Sequence, residues 1–137
     1  MSEVRNMPRL NQTVLYNHLI TDGKLKPMDI DGVLDYHGKG WLIFEYKLND
    51  ANVSTGQGIA LRRLADDLAK SKPVLLFILK HDVIDANNPI YAEDCIVKCH
   101  YCNGKYEYEK YQARVVRFGD VYQKALDWID IEANRNQ

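Results

Sequence analysis

The sequence predicts an α/β domain, a mixed central sheet flanked by helices, in one unit spanning residues 1–137. Two strand patterns, at 29–36 and 41–47, are separated only by the polar turn His37-Gly38-Lys39-Gly40, so they pair as an antiparallel hairpin. A helical pattern then leads into the continuous apolar run 74–79, which has the character of a strand buried on both faces. Strand, helix and strand in that order imply a right-handed parallel crossover, which makes the sheet mixed. A length of 137 residues supports one domain with a single core and is too short for two domains.

The elements follow in chain order. Residues 11–20 read as a first helix, with Leu10, Val14, Leu15 and Leu19 at helical spacing and a stop signal at Thr21-Asp22-Gly23. Ser54 or Thr55 can cap the crossover helix, whose stripe of Leu61, Leu64, Ala65 and Leu68 carries it to about residue 69. Residues 95–109 read as a second hairpin around Asn103-Gly104, a strong short-range turn signal. A short strand at 114–117 and a closing helix at 120–131 complete the chain. Asp120 is the expected N-cap of that helix, and Val121, Ala125, Trp128 and Ile129 form its apolar face.

Composition narrows the function. Apolar residues make up 46% and charged residues 27%, ordinary for a soluble domain. No apolar run approaches the roughly 20 residues of a membrane span, and the first residues carry no apolar export signal, so a cytoplasmic setting is expected. A net charge of −1 argues against a general nucleic-acid coat protein, which is usually basic. It does not count against a metal-dependent nuclease, where bound cations supply local positive charge. Three cysteines, an odd number, argue against a disulfide scaffold.

The stretch that carries chemistry is Pro27-Met-Asp29-Ile-Asp31, then Leu42-Ile-Phe-Glu45-Tyr-Lys47. Side chains alternate along a strand, so Glu45 and Lys47 share a face, and Asp29 and Asp31 are expected to share a face of the neighbouring strand. Carboxylates brought together are costly to ionise unless a cation fills the gap. Mg²⁺ suits such a gap, because it takes one or two carboxylates and keeps several waters. It also makes water in its shell a stronger acid. A lysine beside it can orient that water or take charge from a phosphoryl oxygen. These are the parts for in-line hydrolysis of a phosphodiester.

The arrangement resembles the PD-(D/E)XK nuclease superfamily, whose motif is a strand-end Asp, a variable loop, and hydrophobic residues leading into (Asp/Glu)-x-Lys. Asp31, Leu42-Ile43-Phe44 and Glu45-Tyr46-Lys47 match that pattern, and Gln57 stands where many members carry a Gln at the start of the following helix. The resemblance covers residues 27–80. It implies a restriction-endonuclease-like core to which the C-terminal hairpin and helix are added. It further implies Mg²⁺ (or Mn²⁺) held by Asp31, Glu45 and the backbone carbonyl of Tyr46, with Lys47 activating water and Gln57 ordering the site or the substrate backbone. Asp29 is the alternative motif aspartate; its Pro27-x-Asp29 spacing departs from a plain Pro-Asp, which favours Asp31. The acidic residue often carried by the preceding helix has only Glu3 as a counterpart, too far upstream to match. DNA is the expected substrate, with endo- and exonuclease activity both open. A homodimer would supply the two sites needed to cut both strands.

Weaker signals accompany these. Arg62 and Arg63 could contact phosphates, though a solvated helix face explains them equally well. His81 and Asp82 follow the buried strand, near where an α/β site opens, and suit capping better than metal binding. The competing function is a non-catalytic module that binds nucleic acid or protein through the Tyr- and Cys-rich hairpin 95–111, with zinc. Cys99 and Cys102 form a single Cys-x-x-Cys, so Cys95, His100, His81 or His37 would have to complete four ligands. Tyr101, Tyr106, Tyr108 and Tyr111, interleaved with Lys105 and Lys110, could stack on bases, while cross-strand pairing is the simpler account.

Overall fold

Strand β2 (Trp41–Leu48) organises the molecule, because its alternating side chains supply both faces of the sheet. The structure, a computed structural model, describes residues 15–19, 25, 27–49 and 51–135. Five strands lie side by side in chain order: β1 (Gly32–Asp35), β2, β3 (Val74–His81), β4 (Ile96–Cys102) and β5 (Lys105–Glu107). β2 and β3 are parallel and the other neighbours antiparallel, so the sheet is mixed, as expected. The C-terminal hairpin pairs with β3 and is a continuation of this sheet.

Helix α1 (Thr55–Ala69) makes the crossover from β2 to β3, capped by Ser54, whose Oγ accepts the Gln57 N–H at 3.3 Å. Its Leu61 and Ala65 pack on Ile43, Leu76, Ile78, Cys99 and Tyr101. The opposite face of the sheet, with Leu42, Phe77, Leu79 and Val97, is covered by α3 (Phe118–Arg135) through Ala125, Leu126 and Ile129. A short helix, α2 (Glu109–Ala113), adds Tyr111 to that second core. The 36–40 turn is tied to α3 by Asp130, which accepts from Tyr36 Oη at 3.0 Å and Lys39 Nζ at 2.9 Å.

Several boundaries differ from expectation. Of the predicted first helix, residues 11–14 and 20 lie outside the described residues, as does the 21–23 stop; the described part holds one 3₁₀ turn, Asn17–Leu19. β1 begins only at Gly32, so Asp29 and Asp31 precede the strand and do not alternate along it. The reason lies across the ladder. With Gly32 opposite Phe44, Ile30 would face Tyr46, yet the Tyr46 N–H is donated to Asp31 Oδ2 at 2.8 Å. The 114–117 segment contributes one bridge, Ile96 to Arg117, and no strand. The second strand of the expected 95–109 hairpin ends at Glu107, and a short helix follows at Glu109–Ala113. The last helix starts at Phe118, which leaves Asp120 in its first turn and not at its cap.

Candidate active site

Glu45 and Lys47 stand on the face of β2 that α1 covers, the same side as Ile43. Asp31, just before β1, accepts the Tyr46 N–H on Oδ2 and lies near enough to Glu45 for its charge to act on that carboxyl. Gln57, at the third position of α1, reaches down between strand and helix. Its Nε2 donates to Glu45 Oε1 at 2.8 Å, and its Oε1 accepts from Lys47 Nζ at 3.3 Å. Lys47 Nζ lies 3.7 Å from the same Glu45 oxygen. Four residues separated by up to 26 positions therefore converge at the carboxyl end of β2, where open α/β sheets bind ligands.

The two oxygens of Glu45 are treated differently. Glu45 is 2% exposed, and while Oε1 has its amide and ammonium partners, Oε2 is buried with no hydrogen-bond donor. The nearby Asp31, whose charge acts on Glu45, is another carboxylate. Burial, then the charge of Asp31, push Glu45 up to about 7, against the downward pull of Gln57 and Lys47. Two such acceptors need a proton or a cation between them. The donor set fits a small divalent ion: two carboxylates, with the Tyr46 carbonyl projecting to the same strand edge as the Tyr46 N–H that Asp31 accepts. Among the described residues no group of three or more His, Cys, Asp or Glu could hold a metal, so water would have to complete the shell, as Mg²⁺ prefers.

The other candidates separate. Asp29 accepts a hydrogen bond from Tyr16 Oη at 2.6 Å, away from this group. Arg63 is exposed on α1. Arg62 donates to Tyr106 Oη at 3.2 Å. His81 accepts the Val83 N–H on Nδ1 at 3.1 Å, a local capping contact, and follows the parity of Leu79 on the α3 face. Glu3 lies outside the described residues. Cys99 is buried against α1, while Cys95 and Cys102 belong to the core across the sheet, so the three thiols do not face one point. Burial pushes the Cys99 thiol up to about 11, which keeps it protonated.

Two further residues near the site lie outside the sequence motif. Lys80 stands beside Lys47 in the parallel register, on the same face as Ile78, and continued alternation past the apolar run would have found it. Lys98 is the extra residue of a bulge in β4, where Ile78 faces Cys99 and Leu79 faces Val97. No helix among the described residues is long and apolar enough to cross a membrane. No protein-family model, curated protein or solved structure matches the chain.

Proposed function

We propose that this chain is a Mg²⁺- or Mn²⁺-dependent nuclease that hydrolyses phosphodiester bonds, with DNA the expected substrate. The observation that carries the reading is the buried, donor-less Oε2 of Glu45, a carboxylate on which the charge of Asp31 acts. An ion pair serving structure alone would turn its lysine to the orphaned oxygen; here Lys47 and Gln57 both hold Oε1 and leave Oε2 free. Asp31, Glu45 and the Tyr46 carbonyl would hold the ion. When bound, it would withdraw charge from the phosphate and make water more acidic.

The protein's own groups do the rest. Gln57 fixes the Glu45 rotamer through one oxygen. Lys47, a quarter exposed and held by Gln57 Oε1, keeps an ammonium where it can orient the attacking water or take developing phosphoryl charge. A cytoplasmic setting goes with this reading, and the three cysteines are free thiols.

The test is incubation with linear, circular, single-stranded and branched DNA, with Mg²⁺ or Mn²⁺ and with chelator. Cleavage should need the metal, and Lys47→Ala, shown folded by circular dichroism, should lose about 100-fold or more in rate. Folded Lys47→Ala cutting as fast as wild type overturns the proposal.

A further inference from the structure

Beside the candidate site, between α1 and the β4–β5 hairpin, lies an open cavity of about 360 Å³. Asn52, Arg62, Lys98, Cys99, Tyr106 and Tyr108 are among its walls. We infer that this cavity seats one unpaired nucleotide of the substrate strand, its base on the Tyr108 ring and its phosphate between Lys98 and Arg62. The inference rests on the nuclease reading and names the form of its substrate.

Position comes first. Glu45 pairs with Ile78, and Ile78 with Cys99; Ile78 and Cys99 both line the cavity, and Cys99 is two strand steps from Glu45 on the same face. At the usual spacing of neighbouring strands that is about 10 Å. A strand crossing Glu45 would thus run into the cavity.

The wall chemistry comes second. Ordinary alternation would send Lys98 to the face opposite Cys99; the bulge re-aims it, and both line the cavity. Lys98 Nζ donates to the neutral Asn52 amide at 3.0 Å, and Arg62 to the Tyr106 phenol. Among the described residues neither has an ion-pair partner within bonding distance, although Asp66 is close enough to act on Arg62. Two cations thus meet the cavity with charge to spare for an anion.

Aromatic surface comes third. Tyr101, Tyr106 and Tyr108 form a ladder, with centroids 5.0 and 5.5 Å apart. Arg62 covers Tyr106, leaving Tyr108, 43% exposed, as the open end. Bases stack on such a ring without regard to sequence. A base inside a duplex has both faces already covered, and a cavity near the lower end of ligand-pocket sizes, about 300–1,000 Å³, has no room for a pair.

Fluorescence anisotropy of a labelled oligo-dT and of a duplex of equal length, in chelator so that nothing is cut, tests this directly. Wild type should bind the single strand at least 10-fold more tightly. Tyr108→Ala and Lys98→Gln should each weaken that binding about 5-fold or more, Tyr108→Phe should restore it, and Lys124→Gln, on the opposite face, should not change it. Equal affinity for strand and duplex, or unchanged binding by Tyr108→Ala and Lys98→Gln, overturns the inference. Failure here with Lys47-dependent cleavage intact leaves the nuclease standing. Absent cleavage with the binding pattern intact leaves a single-strand-binding site and removes the enzyme.

Discussion

A carboxylate almost without solvent, set in an apolar layer beside another carboxylate, is the residue on which this site turns. Burial first, and then Asp31, raise Glu45 to about 7 from its ordinary 4.5. A folded-state value above the unfolded one means that the stability tied to this group is complete below about pH 4.5 and is lost as pH climbs through 7. Divalent ions act in the other sense, since they bind the ionised form and expel its proton. Metal-free wild type should therefore lose Tm relative to Glu45→Gln between pH 4.5 and 8, the difference developing up to about pH 7. Saturating Mg²⁺ at pH 8 should raise the Tm of wild type and leave Glu45→Gln unmoved. Thermal melts across that range decide it: parallel curves for the two proteins would show that Glu45 has no raised value.

At the scale of elements, the end of β1 sets where Asp31 sits. A Cβ on Gly32 would lie 2.1 Å from the Phe44 ring, which is itself held between Tyr46 and Phe118 at 5.8 and 5.4 Å. Gly32→Ala should cost about 1–3 kcal/mol in urea unfolding, because the ring has little room to yield. The same strain displaces the adjoining Asp31, so the midpoint of a Mg²⁺ titration should rise with it; a destabilised variant with an unchanged midpoint would detach Asp31 from metal binding. The sequence could not reveal where β1 starts, since that depends on the Tyr46 N–H being taken by a side chain 15 residues earlier. What it did reveal was local. Alternation aligned Glu45 with Lys47, helical spacing marked Leu61 and Ala65, Ser54 of the two candidate caps capped α1, and Asn103-Gly104 turned the hairpin with positive φ of 51° and 81°. Helix α2, the Phe118 start of α3 and the direction of Lys98 answer to tertiary contacts, such as Phe118 N–H on the Cys95 carbonyl, that no local pattern records.

For the molecule as a whole, the sheet separates two cores, and only one of them supports the site. Leu61, 1% exposed, lies one turn beyond Gln57 and wedges α1 onto the sheet; Ile129, fully buried, fills the layer behind it. Truncating either to alanine should cost on the order of 2–5 kcal/mol, since each leaves a cavity in a closed core. Their effects on cleavage should part. A cavity under α1 lets Gln57 drift from Glu45 and Lys47, and a displacement near 1 Å can cost about 100-fold in rate. A cavity under α3 leaves those hydrogen bonds in place. Measured well below both melting temperatures and corrected for the folded fraction, Leu61→Ala should lose about 10-fold or more in kcat/KM. Ile129→Ala should stay close to wild type. Equal losses in the two variants would mean that the sheet transmits strain to the site from either side, and that the clasp of Gln57 on Glu45 is not what α1 contributes.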